Sequence, residues 1–174
     1  LGFEAESIRF TASLLKKGGF AKLNDTMREL YANKKFSKIE IKEFFTKKAE
    51  LRDLTLSIAK ELGTYCPVIE TYTDNFVSGW LAYGYESTSL IQLAKYCFKR
   101  EKKSFEKMDE LIRKLASLGV VSAESIISYM EGEARERDFA GEVLKKAGIS
   151  RRVNNWDRDC LRNWRQWGFS DDLI

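Results

Sequence analysis

Trp80-Leu81-Ala82-Tyr83-Gly84-Tyr85-Glu86-Ser87-Thr88-Ser89-Leu90 returns, altered in detail, as Trp164-Arg165-Gln166-Trp167-Gly168-Phe169-Ser170-Asp171-Asp172-Leu173-Ile174. The second half of the phrase also stands near the start, as Gly2-Phe3-Glu4-Ala5-Glu6-Ser7-Ile8. A glycine, an aromatic, four mostly small or acidic residues and an aliphatic thus recur with a period near 84 residues. Such a period decides the architecture, because each repeat is one structural unit.

Reading outward from the glycine, Phe3, Ile8 and Ala12 align with Tyr85, Leu90 and Ala94 without a gap. Three extra residues then enter the second copy around Arg100 to Lys103. Beyond them Phe20, Leu23, Met27, Leu30, Ser37 and Ile41 align with Phe105, Met108, Ile112, Leu115, Ser122 and Ile126 at identical spacing. Phe44, Arg52, Ile58, Ala59 and Gly63 pair with Tyr129, Arg137, Val143, Leu144 and Gly148, and Tyr72 and Trp80 with Trp156 and Trp164. The unit is too long for one helical hairpin of a solenoid, so each copy is expected to be a small bundle of about four helices.

Apolar residues recur every three to four positions almost throughout, which indicates amphipathic helices. The spacing predicts helices over 4–17, 20–33, 38–62, 68–82, 87–100, 104–117, 122–147 and 153–166, with a further start after 169. Gly63, Gly119 and Gly148 stand where glycine ends a helix, Ser122 where serine caps one, and Pro67 is read as opening the helix that follows. Val120-Val121 reads as a short extended link. No alternating strand pattern of useful length is present. The fold class is therefore all-α, with tandem small helical bundles packed through their tryptophan-bearing helices. Trp80 and Trp164 are expected to be buried in equivalent helices, with Gly84 and Gly168 at the helix ends.

The 174 residues carry 44% hydrophobic and 13% aromatic side chains and a single proline, enough for a folded core without a disordered linker. The net charge of +4 suits nucleic acid without demanding it. Cys66, Cys97 and Cys160 are odd in number and fall at non-equivalent places in the repeat, so they read as reduced thiols of a cytoplasmic protein. No run is apolar and long enough for a membrane span.

Catalytic chemistry has little to stand on. The chain has no histidine, the commonest acid–base group near neutral pH. Phosphate loops, dinucleotide fingerprints and nucleophile elbows are missing from the sequence, and no cysteine spacing suits a metal. Asp171-Asp172 and the pair Glu131 and Glu133 read as dipole complements or solvated charge. No enzyme, metal or cofactor is expected. The sharpest charged feature is basic: Lys99, Arg100, Lys102 and Lys103 flank a helix-to-helix turn, and Lys107, Arg113 and Lys114 follow on the next helix. These seven are the candidate DNA-binding residues, because side chains at a turn reach phosphates without disturbing a core. Lys16-Lys17 lies at the corresponding turn of the first copy, and Arg151, Arg152, Arg158, Arg162 and Arg165 make the last fragment basic. Trp156 and Trp167 align with Tyr72 and Tyr83, positions that favour an aromatic with a polar edge and could stack on bases.

Residues from about 50 to 128, with partial units on both sides, also resemble a known pattern. Phe76-Val-Ser-Gly-Trp80-Leu-Ala-Tyr-Gly84-Tyr85, followed by Leu90-Ile91-Gln-Leu-Ala94, is similar to the C-terminal domain of the DnaD family. The similarity continues through Lys103-Ser-Phe105-Glu-Lys-Met108-Asp109-Glu-Leu111-Ile112 to Leu118-Gly119-Val-Val-Ser122. On this resemblance residues 1–45 are the C-terminal part of a first unit, 46–128 a complete unit and 129–174 the N-terminal part of a third. The resemblance implies a non-enzymatic DNA-binding and scaffolding protein of bacterial or phage replication initiation, active in primosome assembly and helicase loading. Its implied partners are DNA, bound weakly and without sequence preference, and replication-initiation or helicase-loading proteins; a homo-oligomer is allowed. The alternative is a helical protein–protein scaffold that touches no DNA. One departure matters. Where family members often carry a tyrosine, an isoleucine and a tryptophan at four-residue spacing on the second helix, linked to DNA binding, this chain has Lys107, Leu111 and Leu115. Both aromatics are replaced, so DNA contact falls to basic side chains.

Overall fold

A computed structural model describes residues 2–15 and 19–174. It is all-helical, and no strand occurs among the described residues. The elements are α1 (Ala5–Leu14), α2 (Phe20–Ala32), α3 (Lys38–Leu62), α4 (Ile69–Tyr72), a π-helical turn (Thr73–Val77), α5 (Ser78–Ala82), α6 (Ser87–Lys99), α7 (Phe105–Ser117), α8 (Ala123–Lys146) and α9 (Asn155–Gln166). The boundaries follow the repeat. Helices α1 and α6 open it, α2 and α7 are of equal length, α3 and α8 are the long helices, and a tryptophan-bearing segment closes each copy. The expected 68–82 helix is interrupted by the π-helical turn, where the Thr73 hydroxyl turns inward to meet Thr55 Oγ1 at 2.8 Å. Pro67 lies just before the Val68 cap of α4, one step earlier than read from the sequence. Residues 171–173 form a turn, where a helix start was expected.

The repeated phrase has a local cause. Tyr85 N–H donates to the Trp80 carbonyl and Gly84 N–H to that of Leu81; Phe169 and Gly168 do the same with Trp164 and Arg165. This is the glycine-terminated helix end in which the chain reverses through a left-handed residue and the next side chain folds back over the last turn. Gly84 and Gly168 both sit at φ +92°, where a Cβ is strained. Tryptophan, glycine and aromatic are therefore three positions of one helix stop. The same pattern ends α2 on Lys34 and α6 on Glu101, the two non-glycine residues with positive φ among those described.

The described chain divides into two compact units, residues 1–79 and 80–174, with the division inside α5. In the first unit α1 packs on α2 and α3, and α3 on α4 and the π-helical turn. Leu30, Ile41, Ile58 and Leu62 are fully buried there. In the second unit α6 packs on α7 and α8, and α8 on α9. Its centre holds Trp80, Tyr85, Leu90, Leu93, Phe105, Met108, Ile112 and Leu115, all buried. Trp80 stacks on Phe105 with centroids 5.8 Å apart, and its indole N–H donates to Asp109 Oδ1 at 2.8 Å. The Tyr85 hydroxyl faces the carbonyls of Ile112 and Val120 at 3.2 and 3.0 Å, tying the phrase to the end of α7.

Burial does not repeat everywhere. Trp164, expected in the core, is 37% exposed, whereas Trp80 is 1% exposed. Trp80 is covered by Phe105 of the hairpin that follows it. Phe20, the counterpart of Phe105, is 90% exposed against 1%.

Candidate nucleic-acid interface

The α6–α7 turn is built from the core outward. Cys97 is fully buried on α6 and Phe105 on α7, so the chain between them must lie at the surface. Lys102 N–H donates to the Cys97 carbonyl and Glu101 N–H to that of Phe98, which closes α6 through the left-handed Glu101 at φ 59°. Ser104 then caps α7 by accepting from the Lys107 N–H. The turn is thus hydrogen-bonded on both sides, and its cations project from a fixed backbone. Burial pushes the Cys97 thiol up to about 11, with a smaller opposing effect from Lys102. It is a packed thiol and not a reactive one.

Two of the cations are held by rings. The Arg100 guanidinium lies over Tyr96 at 4.9 Å and the Lys103 ammonium over Phe98 at 4.7 Å. Such contacts orient a cation while leaving its hydrogen-bond donors available. Among the described residues, no carboxylate forms an ion pair with Lys99, Arg100, Lys102 or Lys103. The other three sequence-derived residues differ. Lys107 pairs with Glu110 at 2.8 Å, and Arg113 with Asp109 at 2.7 Å. Lys114 points at Tyr129, 3.4 Å from its hydroxyl. At about 1.5 Å per residue, Lys107 and Lys114 are about 10 Å apart along α7. The structure therefore gathers Lys99, Arg100, Lys102, Lys103 and Lys107 at one end of α7 and places Arg113 and Lys114 toward the other.

The basic C-terminal fragment behaves in another way. Arg151 grips Asp157 with two bonds of 2.6 Å. Arg158 reaches Glu133 at 2.6 Å, Arg162 reaches Glu136 at 2.6 Å, and Arg165 reaches Asp171 at 2.7 Å. Hydrogen bonding to Arg151, then to the Asn154 N–H, lowers the Asp157 carboxyl to about 2. Arg158 and Arg162 tie α9 to acidic residues of α8 and Arg165 pairs with Asp171, so the charge of the α9 arginines is already balanced. Sequence reading missed these pairs because Glu133 and Glu136 are 25 and 26 residues from their partners. Lys16-Lys17 lies outside the described residues.

No family model, curated protein or solved structure matches the chain. Among the described residues no helix is long and apolar enough to cross a membrane. Cys66, Cys97 and Cys160 are free thiols.

Proposed function

We propose that this chain is a non-enzymatic DNA-binding scaffold of DnaD-like helical units, with the α6–α7 turn as its phosphate contact. One observation carries the reading. Lys99, Arg100, Lys102 and Lys103 crowd a rigid turn with no carboxylate partner among the described residues, while the arginines of α9 are paired. Unpaired cations on a fixed surface gain from releasing counterions bound to a phosphate backbone. They read charge and not bases, so binding is weak and independent of sequence. Lys107 and Leu115, which replace the family's aromatics, are consistent with phosphate contact without stacking. A place in cytoplasmic replication initiation, with helicase-loading proteins as partners, rests on the resemblance.

The test is log affinity against log salt for single- and double-stranded DNA. Wild type should bind with a dissociation constant on the order of micromolar or weaker at physiological salt. Alanine at Lys99, Arg100, Lys102 and Lys103 together should weaken binding to every sequence alike and flatten the slope by up to several units. Identical lines would remove the turn from the DNA surface. A second reading, a protein-binding scaffold without DNA contact, is favoured by the exposed aromatics Trp156, Trp167 and Tyr83. Absence of binding by both proteins at low salt would select it.

A further inference from the structure

We propose that the first unit holds an arginine side chain of a partner protein in the cavity along α3, beside α4. The inference is independent of DNA binding. It comes from comparing one position of the repeat in its two copies. In the second unit Arg158 of α9 bonds to Glu133 of α8 at 2.6 Å and to Asn155 at 2.8 Å. Both members of the Arg158–Glu133 pair are mostly shielded from water. The second unit thus fills the space between its long helix and the next helix with its own arginine.

The first unit reverses both charges. The repeat aligns Phe44 with Tyr129 and Tyr72 with Trp156, so Lys48 stands for Glu133 and Asp74 for Arg158. The reversed pair does not form. Lys48 turns to Glu29 at 2.6 Å and lies 5.9 Å from the centre of the Phe44 ring. Asp74 is exposed and has no ion pair or hydrogen bond among the described residues. Between them lies a cavity of about 750 Å³, walled in part by Phe44, Phe45, Leu51 and Ile69, with Asp74 on its lining. The π-helical turn sets that carboxylate in place, because the neighbouring Thr73 is buried and bonded to Thr55.

Charge and shape select the occupant. Five carboxylates and four cations line the cavity. Lys48 faces Glu29 at 2.6 Å and Arg52 faces Glu70 at 3.9 Å, so two of the cations are already opposed. Glu40 is held in the Ser37 cap. Of the lining groups without an ion pair, Asp74 alone stands where the second unit places a guanidinium. Arginine suits such a wall: its planar head stacks on rings and its fork matches a carboxylate. Lysine is more strongly hydrated and lacks the fork.

The test is an NMR titration of the 174-residue chain, without DNA, by arginine capped as N-acetyl and N-methylamide. Shifts should centre on the cavity residues, with a dissociation constant on the order of millimolar. The capped lysine analogue should bind at least tenfold more weakly, and free arginine no more tightly than the capped form. Asp74→Asn, at an exposed site, should weaken the arginine probe at least tenfold. Lys48→Glu combined with Asp74→Arg rebuilds the pair of the second unit, and should abolish probe binding while raising the melting temperature. Absence of shifts in the cavity, equal binding of arginine and lysine, or unchanged affinity in Asp74→Asn would each overturn the proposal. Tighter binding of free arginine would make the ligand a free amino acid and overturn the protein partner.

Discussion

Trp80 and Asp109 are joined by a 2.8 Å hydrogen bond between the indole N–H and Oδ1, and the other oxygen of that carboxylate takes the Arg113 Nε–H at 2.7 Å. One carboxylate thus links the tryptophan of the repeated phrase to the outer face of α7. Trp80→Ala removes both the stacking on Phe105 and the hydrogen bond, and should cost about 3–5 kcal/mol. Trp80→Phe keeps a ring against Phe105 and loses the bond, so its added cost from that loss should be about 0.5–1.5 kcal/mol. Urea denaturation of both variants checks the order. A Trp80→Ala change within about 0.5 kcal/mol, the range of ordinary surface sites, would show that this indole is not a core residue.

The two basic regions should separate in their effects. Arg158 and Glu133 are mostly buried and bonded at 2.6 Å, so Arg158→Ala leaves a carboxylate without its partner. Stability should fall by about 1–3 kcal/mol with DNA affinity unchanged. Alanine at Lys99 and Lys102 should shift stability by less than about 0.5 kcal/mol. Thermal melts run beside a DNA titration of each variant give both quantities.

Acid should loosen the start of α9. The Asp157 carboxyl is held at about 2 in the folded chain, below an unfolded value of about 3.9. A depressed folded value contributes stability that is complete above the unfolded value and lost as pH falls through the folded one. The difference in melting temperature between wild type and Asp157→Asn should therefore be largest above about pH 4 and shrink toward pH 2. A gap that stays constant across this window would place the pH dependence elsewhere.

Ser7 and Ser89 occupy the same position of the repeat, and both are buried with a hydroxyl that has no hydrogen-bond partner. A desolvated hydroxyl without a partner is a cost, so Ser7→Ala and Ser89→Ala should each stabilise by up to about 1 kcal/mol. Denaturation midpoints of the two variants should move in the same direction. Shifts of opposite sign would mean that the positions are not equivalent in their packing.

The helices were legible in the sequence where their signals are local. Ser37 and Ser122 cap α3 and α8, and Gly63 and Gly148 follow the long helices at positive φ, each set by residues within one turn. The all-helical fold followed from the three-to-four-residue spacing of apolar positions. The exposure of Trp164 and Phe20 was not legible, because burial depends on which hairpin covers a side chain and not on its own spacing. The pairing of Arg158 and Arg162 with α8 was hidden for a related reason: charge composition records how many cations a segment holds, not which acids the fold brings to them. At the candidate site, the position of Lys99 to Lys103 at a turn was readable from the three-residue expansion. The rings beneath Arg100 and Lys103 emerge only once α6 closes on Glu101.

The unequal burial of the tryptophans gives the molecule two optical populations. Trp80, packed against a ring and shut from water, should emit at shorter wavelength and resist acrylamide. Trp156, Trp164 and Trp167 meet solvent and should emit to the red and quench readily. Loss of the blue component would report melting of the second unit, while a blue shift confined to the quenchable fraction would report that the outer indoles had been covered.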